Sequence, residues 1–154
     1  MRAAFLAIGT ALMLGLFGPV AAHAEDSAQV FLTSIYKTYE GKDSRGVAVD
    51  SPTFRTVVTP GLWRLVDSDA KRSARRREVP TLNGDPFVDA QDWEISGLRI
   101  EIKEDGPKAT ANVAFRNAGQ SRAVTLQLVR ARDGWRIDDF IGSEGSLRTL
   151  LARK

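Results

Sequence analysis

The stretch that decides the fold is Trp93–Ile141, WEISGLRIEIKEDGPKATANVAFRNAGQSRAVTLQLVRARDGWRIDDFI. Leu98, Ile100 and Ile102 alternate with Arg99, Glu101 and Lys103, and Asp105-Gly106 then turns the chain. Ala109, Ala111, Val113 and Phe115 alternate next, ending at Asn117-Ala118-Gly119. Val124, Leu126 and Leu128 mark a third strand, Asp133-Gly134 a second Asp-Gly turn, and Trp135, Ile137 and Ile141 a fourth. Period-2 runs joined by short turns predict an antiparallel meander of about four strands, each with one apolar face.

Upstream the period is helical. A helix is expected over 26–39, capped by Asp26 and stopped by Gly41, with Ala28, Phe31, Leu32, Ile35 and Tyr39 in one stripe and Tyr36 at its edge. Ser51-Pro52 opens a short helical turn through Val57. Thr59-Pro60 starts a longer helix, with Leu62, Val66, Ala70 and Ala74 on one face beside Trp63. Residues 78–92 read as a polar loop near the upper length for a compact domain, and Ser146 caps a last short helix over 147–152. Helices first and strands afterwards, with no βαβ alternation, predict an α+β fold in which the N-terminal helices cover one face of a curved antiparallel sheet.

The first residues read as a leader. Arg2 precedes an uncharged run from 3 to 20, Gly18-Pro19 breaks it, and Ala22-His23-Ala24 offers small residues before the acidic pair Glu25-Asp26. That order predicts a signal peptide over 1–24, cleavage near Ala24, and one domain over 25–154. A periplasmic or secreted address follows, without lipidation, since the 154-residue chain has no cysteine. Cleavage also removes His23, Met1 and Met13, the chain's whole content of histidine and methionine, and lowers the net charge of +3 by one. The remaining domain excludes histidine triads, cysteine nucleophiles, zinc sites of His or Cys, iron–sulfur clusters and haem held by His, Cys or Met. No cofactor is expected.

Two segments go beyond generic patterning: Asp85-Pro86-Phe87-Val88-Asp89-Ala90-Gln91-Asp92-Trp93 and Gly134-Trp135-Arg136-Ile137-Asp138-Asp139-Phe140. They resemble motifs of the bacterial family called domain of unknown function 3828. Ile35-Tyr36, Tyr39, Thr59-Pro60 and Ser146-Leu147-Arg148 extend the resemblance over most of the mature chain. It implies an exported domain similar to NTF2-like or cystatin-like folds. Members are often lipoproteins, and this chain departs from those in lacking the lipidated cysteine. NTF2-like cones host isomerases and dehydratases as well as binding modules, so the resemblance leaves the activity open.

The residues offer three kinds of site. Asp85, Asp89 and Asp92, with Gln91 and Asn83, supply oxygen ligands for a hard cation or a bound ligand; the spacing does not follow the EF-hand series, and Asp85-Pro86 reads equally as a turn. Trp93 and Trp135 are the tryptophans expected beside any pocket. Asp139 is the catalytic candidate: on a regular strand it shares the face of Trp135, Ile137 and Ile141, where burial raises a carboxyl pKa and suits it to acid–base work with Tyr36 or Tyr39 as donor. Pairing with Arg148 or the last helix, or a β-bulge at Asp138-Asp139, is the competing structural reading.

The basic run Lys71-Arg72-Ser73-Ala74-Arg75-Arg76-Arg77 sets Arg64, Lys71, Arg72 and Arg75 on one side of the long helix, either a solvated face or an interaction surface. Export argues against nucleic acid as a partner and allows weak attraction of residues 71–77 to an anionic surface. The function expected is a non-catalytic module of the bacterial envelope that binds a small apolar ligand or another envelope protein; the alternative is a cofactor-free isomerase or dehydratase working through Asp139.

Overall fold

The computed structural model describes residues 27–153; the expected leader and Asp26 lie outside them. Helix α1 (Ala28–Tyr36) runs into a 3-10 turn over Lys37–Tyr39, and α2 (Pro52–Val57) and α3 (Pro60–Arg76) follow. Strands β1 (Ile95–Asp105), β2 (Lys108–Asn117), β3 (Gln120–Ala131), β4 (Gly134–Gly142) and β5 (Gly145–Ser146) precede α4 (Leu147–Ala152). The fold is α+β. The five strands form one antiparallel sheet in chain order, one strand more than the pattern predicts, because β5 has only two residues and pairs Ser146 with Ile141. Among the described residues no helix is long and apolar enough to cross a membrane.

Each helix start is fixed by a hydroxyl. Ser27 Oγ accepts from Val30 N at 3.2 Å, Ser51 Oγ from Phe54 N at 3.1 Å, Thr59 Oγ1 from Leu62 N at 3.2 Å and Ser146 Oγ from Thr149 N at 3.2 Å. Pro52 and Pro60 take the first helical position, where no backbone donor is needed. The core forms between α1, α2, the start of α3 and the inner sheet face, with Leu32, Tyr36, Phe54, Leu62, Val113, Leu126 and Ile137 shut away from solvent.

The second half of α3 departs from expectation. Ala70 and Ala74 are exposed, and the buried line runs Leu62, Val66, Asp69, Ser73. Asp69 Oδ2 accepts from Leu82 N at 3.1 Å and Oδ1 from Arg72 at 2.8 Å, so this end of the helix turns toward the returning 78–82 segment. Arg77 closes the helix in the left-handed region at φ 56°, and Glu78 N donates to Ser73 O at 3.0 Å.

Candidate functional site

The two tyrosines meet the acidic loop and not Asp139. Asp85 begins Asp85-Pro86-Phe87-Val88, and burying Pro86, Phe87 and Val88 takes the carboxylate in with them. Tyr39 Oη donates to Asp85 Oδ2 at 2.7 Å and accepts from Val47 N at 2.9 Å; Phe87 N donates to Oδ1 at 2.8 Å. Tyr36 Oη donates to Phe87 O at 2.9 Å. Aromatic rings surround this chain of bonds: Phe87 lies 5.6 Å from Tyr39 and 4.9 Å edge-on to Phe140, and Trp93 5.4 Å from Tyr39. Desolvation in this apolar setting raises the Asp85 carboxyl to about 6, against the opposing pull of its two donors, and raises both phenols above their usual range. The group ties segment 39–47 to the acidic loop, which Asp85 N closes onto Ala90 O at 2.8 Å.

Asp139 does not share the face of Trp135 and Ile137. Gln127 pairs with Asp139 while Leu128 pairs with Ile137, leaving Asp138 as the extra residue of a bulge. Beyond it Phe140 points inward and Ile141 is half-buried, so the expected regular alternation fails at the two aspartates. Asp139 Oδ1 accepts from Phe140 N at 2.9 Å and Arg148 N at 3.0 Å, and Oδ2 from Ser146 Oγ at 2.5 Å. Asp138 Oδ1 accepts from Thr59 Oγ1 at 2.8 Å and Arg148 Nη1 at 3.2 Å. The pair thus fastens the starts of α3 and α4 to the sheet. With three donors on Asp139 and both phenols engaged at Asp85 and Phe87, the expected acid–base constellation is not assembled.

The other acids of the loop diverge. Asp89, at φ 50°, accepts from Ser143 N at 2.8 Å and packs over Gly142, where any Cβ would stand 2.6 Å from Asp89 Oδ1. Asp92 and Gln91 are exposed; Gln91 Nε2 donates to Asn83 O at 3.4 Å and Asn117 Nδ2 to Asp92 O at 3.1 Å. Among the described residues no three acidic or histidine side chains converge as a metal site. Trp135 is buried at 2% exposure and borders a surface hollow of about 250 Å³ together with Ser27, Phe31 and Arg136. Trp93 donates to Ser44 Oγ at 3.1 Å beside an open surface hollow of about 480 Å³. A largely apolar cleft lies at Trp63: Val49, Trp63, Val66, Ala70, Pro80 and Leu82, together with the carboxylates Asp50, Asp67 and Asp69, line about 480 Å³.

On α3, Arg64, Lys71 and Arg75 are exposed, whereas Arg72 is drawn to the buried Asp69. Lys71 pairs with Asp67 at 2.7 Å. Arg64, Arg75, Arg76 and Arg77 are exposed and make no ion pair among the described residues. Three features escaped sequence reasoning: the depth of Asp85, its link to Tyr39, and Asp69. Two had a signal, since an acid heading an apolar Pro-Phe-Val run inside a polar loop must follow that run inward, and Asp69 stands seven residues after Leu62 on the same helix line.

A chain from the crystal structure of the type VI native effector-immunity complex Tae3-Tai3 from Ralstonia pickettii matches with a TM-score of 0.58 and 16% identity, covering 77% of this chain and 96% of that one. A chain from the selenomethionine form of the complex gives 0.54 and 17%, covering 76% and 97%. At these identities the likeness is one of fold. No family model and no curated relative matches the chain.

Proposed function

We propose that this chain is an exported, non-catalytic protein-interaction module of the bacterial envelope, built on an NTF2-like or cystatin-like sheet and helix layer. The observation that carries the reading is the commitment of Asp85, Asp138, Asp139, Tyr36 and Tyr39 to one another and to the chain's own backbone, hydroxyl and guanidinium groups. These groups hold loops and helix starts in place and leave recognition to the surface. Both solved neighbours were crystallised in an effector-immunity complex, which supports a protein as the partner. A binding role suits a mature domain without imidazole or thiol. The leader pattern and the resemblance to domain of unknown function 3828 support cleavage near Ala24 and a periplasmic or secreted address.

The unpaired guanidinium groups of Arg64, Arg75, Arg76 and Arg77 suit an acidic protein surface. Crosslinking in the intact host envelope, with the wild type and an R64E/R75E/R76E variant, tests this. The expected result is one protein joined in stoichiometric yield, reduced about tenfold by the charge reversals and by raised salt. Capture indifferent to both would remove the basic face from the account. Turnover of a small substrate lost in Asp139→Asn would overturn the non-catalytic reading.

A further inference from the structure

Strand β1 is the free edge of the sheet, and its two faces are matched to themselves. Leu98, Ile100 and Ile102 face the core side but are half-buried, packing on the rim of the core. On the outer face Arg99 and Glu101 are exposed and lie across from Ala114 and Asn112 of β2, so neither finds an opposite charge on its neighbouring strand. Edge strands with unpaired backbone groups are templates for another strand, and natural edges usually blunt that tendency with charges and bulges. Here the charges are spaced to be satisfied by a copy of the same strand.

We infer that β1 pairs antiparallel with β1 of a second copy about a two-fold axis at Ile100, joining two five-stranded sheets into one. In that register Ile100 meets Ile100, Leu98 meets Ile102, and Arg99 meets Glu101 twice, once on each side of the axis. Lys103 falls opposite Gly97, where φ is 63° and no atom stands within 4 Å of a Cβ position, so its side chain meets no obstruction. The bulge between Ser96 and Arg99 takes in Gly97 and Leu98, so the regular part of the strand begins at Arg99 and the Leu98–Ile102 contact closes the pairing at its end.

Neighbouring registers are worse. An axis at Glu101 sets Glu101 against itself and Arg99 against Lys103; one at Arg99 sets that residue against itself; one at Ile102 pairs Glu101 with Lys103 and Arg99 with Asp105 but sets Ile100 against Glu104 twice, breaking the apolar face. An axis between residues would place the apolar face of one copy beside the charged face of the other. The interface is independent of the basic face of α3, so either proposal can fail alone.

Sedimentation equilibrium of the mature chain, over a concentration series, tests the inference with a charge exchange. The wild type is expected to dimerise. Arg99→Glu and Glu101→Arg each turn two attractive cross-strand pairs into repulsive ones and weaken the dimer about tenfold. The R99E/E101R variant restores opposite charges across the axis and recovers the dimer. Both positions are exposed, and circular dichroism melts of all three variants are expected to match the wild type. A wild-type chain that stays monomeric overturns the inference, and so does a dimer untouched by the single exchanges or one that the double exchange fails to restore.

Discussion

Asp85 and Asp139 are both aspartates beside an apolar run, and the structure treats them oppositely. Asp85 is carried into an aromatic cluster by Phe87 and Val88, where one phenol and one amide meet it and desolvation outweighs them. Asp139 stays at a half-exposed bulge where two amides and a hydroxyl converge. The acid expected to be buried is met by three donors at a half-exposed bulge, and the one read as a ligand or a turn starter is the one taken into the aromatic cluster. What separates them is the number of donors against the depth of burial, not the residue or its neighbours in sequence.

The largest effect expected is at Tyr39. Tyr39→Phe removes a donor from Asp85 and an acceptor from Val47 N, both buried, and is expected to cost about 4 kcal/mol in denaturant unfolding near neutral pH. The cost should shrink in mild acid, where Asp85 is protonated; a cost that does not change with pH would show that the carboxylate is not what the phenol stabilises.

Asp85→Asn sharpens the same point. The native carboxyl, at about 6, binds its proton more tightly than the unfolded one at 3.8, so its contribution to stability is complete below about pH 4 and is lost as pH rises through 6. The stability difference between wild type and variant should therefore move against the wild type by about 2 kcal/mol from about pH 4.5 to about pH 7.5. Parallel pH profiles would put the burial argument aside.

At the other pole, Asp139→Ala should cost about 1–2 kcal/mol and speed amide exchange across Leu147–Ala152, leaving the Tyr39 cluster protected. Uniform loss of protection would break the contrast between a local anchor and a core group. The smallest effect is Arg64→Glu, exposed on α3, with a change within about 0.5 kcal/mol in thermal unfolding.

Much of the fold is legible because its signals are local. Asp105-Gly106, Ala118-Gly119 and Asp133-Gly134 mark the hairpin turns, and Ser51-Pro52 and Thr59-Pro60 mark helix starts with both cap and proline. The site is less legible because it depends on pairings distant in sequence. Tyr39 reaches Asp85 across 46 residues, and nothing beside either names the other. The Asp138-Asp139 bulge is legible only as one of two readings, since Ile137-Asp138-Asp139-Phe140 reads acceptably with or without an extra residue, and the structure takes the bulged one. The burial of Asp69 over Ala70 depends on where residue 82 returns.

The most direct test of the central claim, that these carboxylates hold shape while the surface binds a protein, is native mass spectrometry of the mature chain purified gently from its own envelope. The account predicts a stoichiometric complex with another protein, preserved in Asp139→Asn. A mature chain that instead carries a small molecule, and converts it in a manner dependent on Asp139, would contradict it.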